Sequence, residues 1–176
     1  YGQLSMTSSG TQAQKIEISD YGTGALPIIS GGVPLTNWVQ HTGNIYRTSV
    51  SGPVKYVFSN GVRQELARTP NTGWFRTMTA SNTYLTSSDI TQGNGYWTGG
   101  ELVIRSTNWS YENVPITANV GNSLAYGNLY FNPGNYAWGF FMRNKLSALD
   151  SAGEWYYDPT SGYLYFWAPN GVNPNT

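Results

Sequence analysis

Glu154-Trp155-Tyr156-Tyr157-Asp158, then Pro159-Thr160-Ser161-Gly162, then Tyr163-Leu164-Tyr165-Phe166-Trp167: two aromatic stretches flank a four-residue turn segment, which predicts a β-hairpin. Successive side chains of a strand point to opposite faces, so Tyr163, Tyr165 and Trp167 should share one face and Leu164 and Phe166 the other. Working outward, Glu101-Leu102-Val103-Ile104-Arg105 alternates in the same way, with Leu102 and Ile104 on one side and Val103 between two charges on the other. Lys55-Tyr56-Val57-Phe58 runs into Ser59-Asn60-Gly61-Val62, where Asn-Gly supplies the two positive φ values of a tight hairpin. Strand signals recur about every eight to twelve residues, the spacing of a sandwich or barrel. The one tolerable helical segment, Asn144–Leu149, is long enough for a single turn. The fold class that follows is all-β, sandwich-like or barrel-like.

Composition narrows the function. Charged residues make up 10% of the 176, far below the usual quarter, so solubility must rest on Ser, Thr, Asn and Gly. Aromatics at 15% supply a core and argue against disorder. A net charge of zero speaks against nucleic acid as a partner, which needs a basic excess on one face. There is no basic run for an anionic membrane surface, and the longest apolar run, Trp138–Met142, is too short for membrane insertion. Cysteine is absent, which removes disulfides, thiolate catalysis and Cys-ligated zinc together. The neutral, Thr/Asn/Gly/Tyr-rich character points to an extracellular or bacterial cell-surface location. The missing initiator Met and signal peptide fit a processed or excised piece.

The first thirty residues read differently. Leu4-Ser5-Met6, Lys15-Ile16-Glu17-Ile18 and Pro27-Ile28-Ile29 are very short predicted strands separated by Gly/Ser/Thr corners. Such spacing is how a parallel β-helix coils, each coil burying its inward residues against its neighbours. About one to two coils fit here, below the roughly three repeats that independent stability needs, so a continuation outside the chain is expected.

Three phrases carry a family resemblance. The run from Ile16 through Tyr21-Gly22-Thr23-Gly24 to Pro27-Ile28-Ile29-Ser30-Gly31 resembles the opening coil of bacterial right-handed parallel β-helix proteins, among them secreted glycoside hydrolases. Leu66-Ala67-Arg68-Thr69-Pro70-Asn71-Thr72-Gly73-Trp74 is similar to a second phrase of theirs. Leu149-Asp150-Ser151-Ala152-Gly153-Glu154-Trp155-Tyr156-Tyr157-Asp158, with Gly162–Trp167, resembles a third. The resemblance implies initial β-helix coils over residues 1–32, an inserted β-sandwich-like domain over 33–170, and a return to the β-helix over 171–176. It implies that catalytic carboxylates lie on later coils, so none carries over to this chain. Arg68, Asp150, Gly153, Glu154, Trp155 and Asp158 are then architecture rather than active site.

Glycoside hydrolysis needs two carboxylates about 5–10 Å apart. Glu154 and Asp158 lie on one side of a strand but roughly 13 Å apart, too far for either stereochemical course. Glu101 with Glu112 is a cross-strand pair that only a structure can decide. Glu154 is expected to accept hydrogen bonds from backbone or from an arginine such as Arg68. His41, the one histidine, sits in a turn-like stretch without a nucleophile motif and reads as a surface-loop residue. No phosphate loop and no metal-ligand spacing occurs, so no cofactor is expected; a structural Ca²⁺ on carbonyls and Asp or Asn would leave no sequence trace.

Sugar binding is easier to support, because a pyranose C–H face packs on an aromatic plane while its hydroxyls take amide, carboxylate or guanidinium partners. Asn94-Gly95-Tyr96-Trp97 and Asn108-Trp109-Ser110-Tyr111 place aromatics among glycines and amides, and Trp74 follows an Asn-Thr-Gly turn. The expected sugar contacts are therefore Trp97, Tyr96, Trp109, Tyr111, Trp74, Asn94 and Asn108, against the alternative that each Trp closes the end of a sandwich. The function expected is a non-catalytic, polysaccharide- or oligosaccharide-contacting module that partners the rest of a larger secreted β-helix protein. The alternatives are a fragment of a polysaccharide-degrading hydrolase or lyase, and a structural or adhesive surface domain.

Overall fold

The computed structural model describes residues 5–19, 22–25, 30–136 and 138–176. The chain divides into two units, Tyr1–Pro34 and Leu35–Thr176. In the first unit the described residues form no strand. Lys15–Ile18 makes no ladder, and Ile16 and Ile18 are exposed, which corrects the strand predicted there. Four residues without a paired neighbour cannot offset the entropy of ordering them. Leu4 and Pro27–Ile29, also predicted as strand, lie outside the described residues.

The second unit is all-β. Its strands are β1 Val39–Thr42, β2 Ile45–Ser49, β3 Phe58–Ser59, β4 Val62–Arg63, β5 Glu65–Leu66, β6 Arg68–Thr69, β7 Phe75–Arg76 and β8 Thr79–Ala80. They continue as β9 Tyr84–Thr86, β10 Glu101–Arg105, β11 Tyr111–Val120, β12 Ser123–Tyr126, β13 Gly139–Arg143, β14 Glu154–Asp158 and β15 Tyr163–Trp167. One sheet runs β1-β2-β15-β14-β5, and a larger one runs β6-β13-β10-β11-β12-β9-β8 with β7 also on β13. The pairs are antiparallel except β5 with β14.

The C-terminal hairpin forms as predicted, Asp158 opposite Tyr163 across the four-residue loop. Asp158 caps that loop, accepting from Thr160 N (2.9 Å) and from the Ser161 hydroxyl (2.6 Å), and these bonds hold its carboxyl below the usual value. Both faces of the hairpin are covered. Tyr165, with Ile45, packs into the main core alongside Leu102, Ile104, Ile116, Phe140 and Met142 of the larger sheet. Trp155, Leu164 and Phe166 form a second core with Trp38 and Val57. The two sheets therefore sandwich one core, and the smaller sheet carries another on its far side.

The Asn60-Gly61 turn is present, with φ of 51° and 77°, but it joins only the two-residue strands β3 and β4. The predicted helical turn is a 3₁₀ turn over Leu146–Ala148. Residues 171–176 stay with the second unit: the Asn175 side chain accepts from Trp38 N (2.9 Å) and donates to Trp38 O (2.8 Å).

Candidate functional site

Leu102 and Ile104 of β10 and Phe140 and Met142 of β13 turn inward, so the alternate residues build a face on the outer side of the larger sheet. Register sets that face in rows. Tyr111, Arg105, Gly139 and Arg76 make one row; Asn113, Val103 and Phe141 the next; Pro115, Glu101, Arg143 and Arg68 the third.

Trp74 reaches this face because β6 and β7 pair with successive stretches of β13, and the chain between them loops out over it. Arg68 ties that loop, donating from Nε to Pro70 O (2.8 Å) and from Nη2 to Gly73 O. Its guanidinium lies over the Phe141 ring at 3.7 Å and 5.9 Å from that of Trp74. The Trp74 ring meets Phe141 edge-on at 4.9 Å and Tyr111 at 5.4 Å with a 36° tilt. Trp74 and Tyr111 are 41% and 58% exposed, so the pair is seated from below and open from above.

Gly139 makes the seat possible. A Cβ there would stand 3.0 Å from the Trp74 Cβ and 3.2 Å from its Cγ. Gly139→Val is expected to lift the indole off the sheet and cost about 1–3 kcal/mol, read by denaturant unfolding and by the shift of the Trp74 indole N–H resonance. An unmoved resonance would show that the indole does not depend on this contact.

The polar side is a linked network. Glu101 Oε2 accepts from Arg143 Nε (3.0 Å) and Asn113 Nδ2 (3.1 Å), and its Oε1 from Asn144 Nδ2 (3.0 Å). Arg105 donates to the carbonyls of Thr107 and Asn108 and lies 4.5 Å over the Trp138 ring, which meets the exposed Tyr136 at 5.6 Å. An aromatic pair beside a carboxylate, an amide and guanidiniums can stack a sugar ring and hydrogen-bond its hydroxyls.

The predicted site residues part company. Trp74 and Tyr111 come together on this face. Trp109 is 73% exposed, but its ring contact is with Phe131 at 6.3 Å, and Asn108 meets Arg105 through its carbonyl. Trp97 is a correction: it is 1% exposed and part of the main core, so its ring is closed to a ligand. The glycines beside it bend the chain around its own tryptophan, and the indole N–H is satisfied by Gln92 Oε1 at 3.0 Å. Asn94 caps a turn, accepting from Gly121 N at 2.8 Å. With Tyr96 it lines an open depression of about 740 Å³ formed by Gly93–Tyr96, Lys145–Ser147 and Tyr156. There the Tyr96 hydroxyl and the Lys145 amine are already committed to backbone carbonyls. Glu101, Asn113, Arg105 and Arg143 were missed as a group; their signal was the alternation in Glu101–Arg105 and Gly139–Arg143.

Glu101 and Glu112 do not make a hydrolytic pair. Glu112 faces the side of Ile104 and accepts from the backbone N–H of Tyr130 and Phe131, whereas Glu101 is on the outer face with Arg143. Glu154 is 3% exposed and accepts from Arg68 N, Asp150 N and Ser151 N at 3.1–3.2 Å. Burial pushes its carboxyl up to about 7 against the pull of those donors. The other phrase residues make internal bonds: Trp155 donates its indole N–H to Gln64 O, Asp150 accepts from Asn71, and Gly153 N bonds Trp167 O. His41 stands at a bulge in β1, exposed and edge-on to Tyr165 at 5.1 Å. Among the described residues no three His, Asp or Glu side chains gather as a metal site.

No family model matches the chain, and no curated protein matches it. A solved structure named "Glycoside hydrolase" has a similar fold, with a TM-score of 0.67 and 19% identity over 84% of this chain. That alignment covers 30% of the neighbour, so the chain spans under a third of that protein's length, and the likeness is one of fold.

Proposed function

We propose that the second unit is a non-catalytic carbohydrate-contacting module of a larger secreted polysaccharide-acting protein, and that the outer face of the larger sheet is its contact surface. The observation that carries this is the open Trp74–Tyr111 pair beside the Glu101–Asn113–Arg143 network. The fold shared with part of a chain named glycoside hydrolase supports the substrate class. On this reading residues 1–32 open a β-helix whose neighbouring coils supply the pairing that Lys15–Ile18 lacks, and the protein works outside the cell or at its surface.

The test is affinity gel electrophoresis of the chain against a polysaccharide panel, with tryptophan fluorescence in parallel. At least one glycan should retard the chain, and Trp74→Ala should weaken that binding by about tenfold or more, as loss of a central aromatic anchor does. Retardation untouched by Trp74→Ala would move the contact away from this face. A second reading has the module walling one side of a substrate cleft whose acids lie elsewhere in the larger protein. It is favoured by the 30% coverage of the neighbour, and it predicts no retardation of the isolated chain.

A further inference from the structure

The chain has nine basic and nine acidic residues, yet register places Arg68, Arg76, Arg105 and Arg143 on the one outer face, with Glu101 the acid in those rows. Arg143 is paired with Glu101 at 3.0 Å, and among the described residues this is the salt bridge that forms. Of the other acids nearby, Asp89 accepts from the Arg76 backbone N–H and Glu154, buried, from the Arg68 backbone N–H, while Glu65 and Glu154 lie close enough to Arg68 to favour its charged form. Among the described residues the Arg68, Arg76 and Arg105 side chains thus make no salt bridge with a carboxylate.

Two of these guanidiniums are held in place before any ligand arrives. Arg68 and Arg105 each donate from Nε and Nη2 to carbonyls of their own loops, and each lies over an aromatic ring, Phe141 and Trp138 respectively. Their Nη1 groups have no acceptor among the described residues. A fixed guanidinium offers parallel N–H groups that match a planar or tetrahedral anion far better than a neutral hydroxyl. We infer that the ligand of this face is an anionic polysaccharide, its carboxylate or sulfate groups taken by Arg68, Arg105 and Arg76 around a sugar stacked on the Trp74–Tyr111 pair. This rests on reading the face as a glycan platform.

The experiment compares binding of the whole chain to polygalacturonate, a sulfated galactan and a neutral galactan. Either anionic polymer, or both, should bind about tenfold more tightly than the neutral one. That preference should shrink between about 50 and about 500 mM NaCl, as exposed charges are screened. Arg76→Gln, whose side chain ties no loop, should weaken anionic binding about threefold, more than it weakens neutral binding; an equal loss for both polymers would overturn the inference. Trp74→Ala should weaken binding to every polymer. Which anionic polymer binds distinguishes carboxylate from sulfate recognition. Neutral galactan bound as tightly, and lost with Trp74→Ala, would overturn the anionic inference and leave the platform standing. Anionic binding that ignores Trp74→Ala would reduce the effect to diffuse charge and overturn the inference too. Retention by no polymer, from a folded chain, would remove both.

Discussion

Trp97→Ala is expected to destabilise the second unit by about 3–5 kcal/mol, the usual cost of emptying a fully buried tryptophan site. The indole fills the main core with Phe140, Leu102, Ile116 and Leu124, so its removal leaves a cavity that short strands on either side cannot close. Loss of its N–H also strands Gln92 Oε1, and the turns that wrap it are pinned by Gly95 N to Asn119 O and Gly99 N to Ile116 O. Denaturant unfolding followed by far-UV circular dichroism reads the change as a lower midpoint at similar slope. Trp109→Ala is the control: it removes an indole that is 73% exposed and should shift stability by no more than about 0.5 kcal/mol. Equal effects of the two substitutions would contradict the placement of Trp97 in the core.

Glu154→Gln should cost about 2 kcal/mol near pH 5, where the wild-type carboxyl is still protonated in the fold, and less near pH 8. Its two carboxylate oxygens serve three backbone donors: Arg68 N, where the chain crosses from β5 in one sheet to β6 in the other, and Asp150 N and Ser151 N just before β14. An amide has one oxygen, so its NH₂ group must face a backbone N–H whichever way it turns, leaving a buried donor unpaired. The pH dependence gives an independent signature. The folded value of about 7 lies above the ordinary 4.5, so between these limits the native state binds more protons than the unfolded chain. Stability from this group is therefore full below about pH 4.5 and falls as pH rises towards 7, by on the order of 2 kcal/mol. Glu154→Gln should flatten that slope while the wild type retains it. A wild-type profile that rises with pH across the same window would show that the three N–H donors, not burial, govern the carboxyl.

These two side chains bear differently on the proposed surface. Trp97 supports β11 from the core side, and Glu154 fixes the start of β6, whose Arg68 then ties the loop that carries Trp74. Loss of either is expected to weaken glycan contact through the fold, whereas Trp74→Ala acts at the surface. Comparing stability with affinity in the same variants separates the two routes.

Local pattern was enough for the elements whose signal is contained in a few neighbouring residues. The hairpin of β14 and β15, the alternation of β10 and the Asn60-Gly61 turn follow from period-two apolarity and from the φ values that a tight turn requires, so the all-β class was legible. That Glu154 accepts hydrogen bonds was legible too, but the choice between backbone and an arginine side chain was made by the fold, which presents it with three backbone N–H groups. Strand formation at Lys15–Ile18 was not decided by its alternation, since a strand needs a neighbour to bond. Nor could Trp97 be told from Trp74 or Trp109 by its flanking glycines: all three follow turn residues, and only the packing of distant β10, β11 and β13 determines which ring is enclosed. The candidate face depended most on tertiary structure. Arg68, Trp74, Glu101, Tyr111 and Arg143 are spread over 76 residues of chain (68 to 143), and strand order with register alone brings them into adjacent rows.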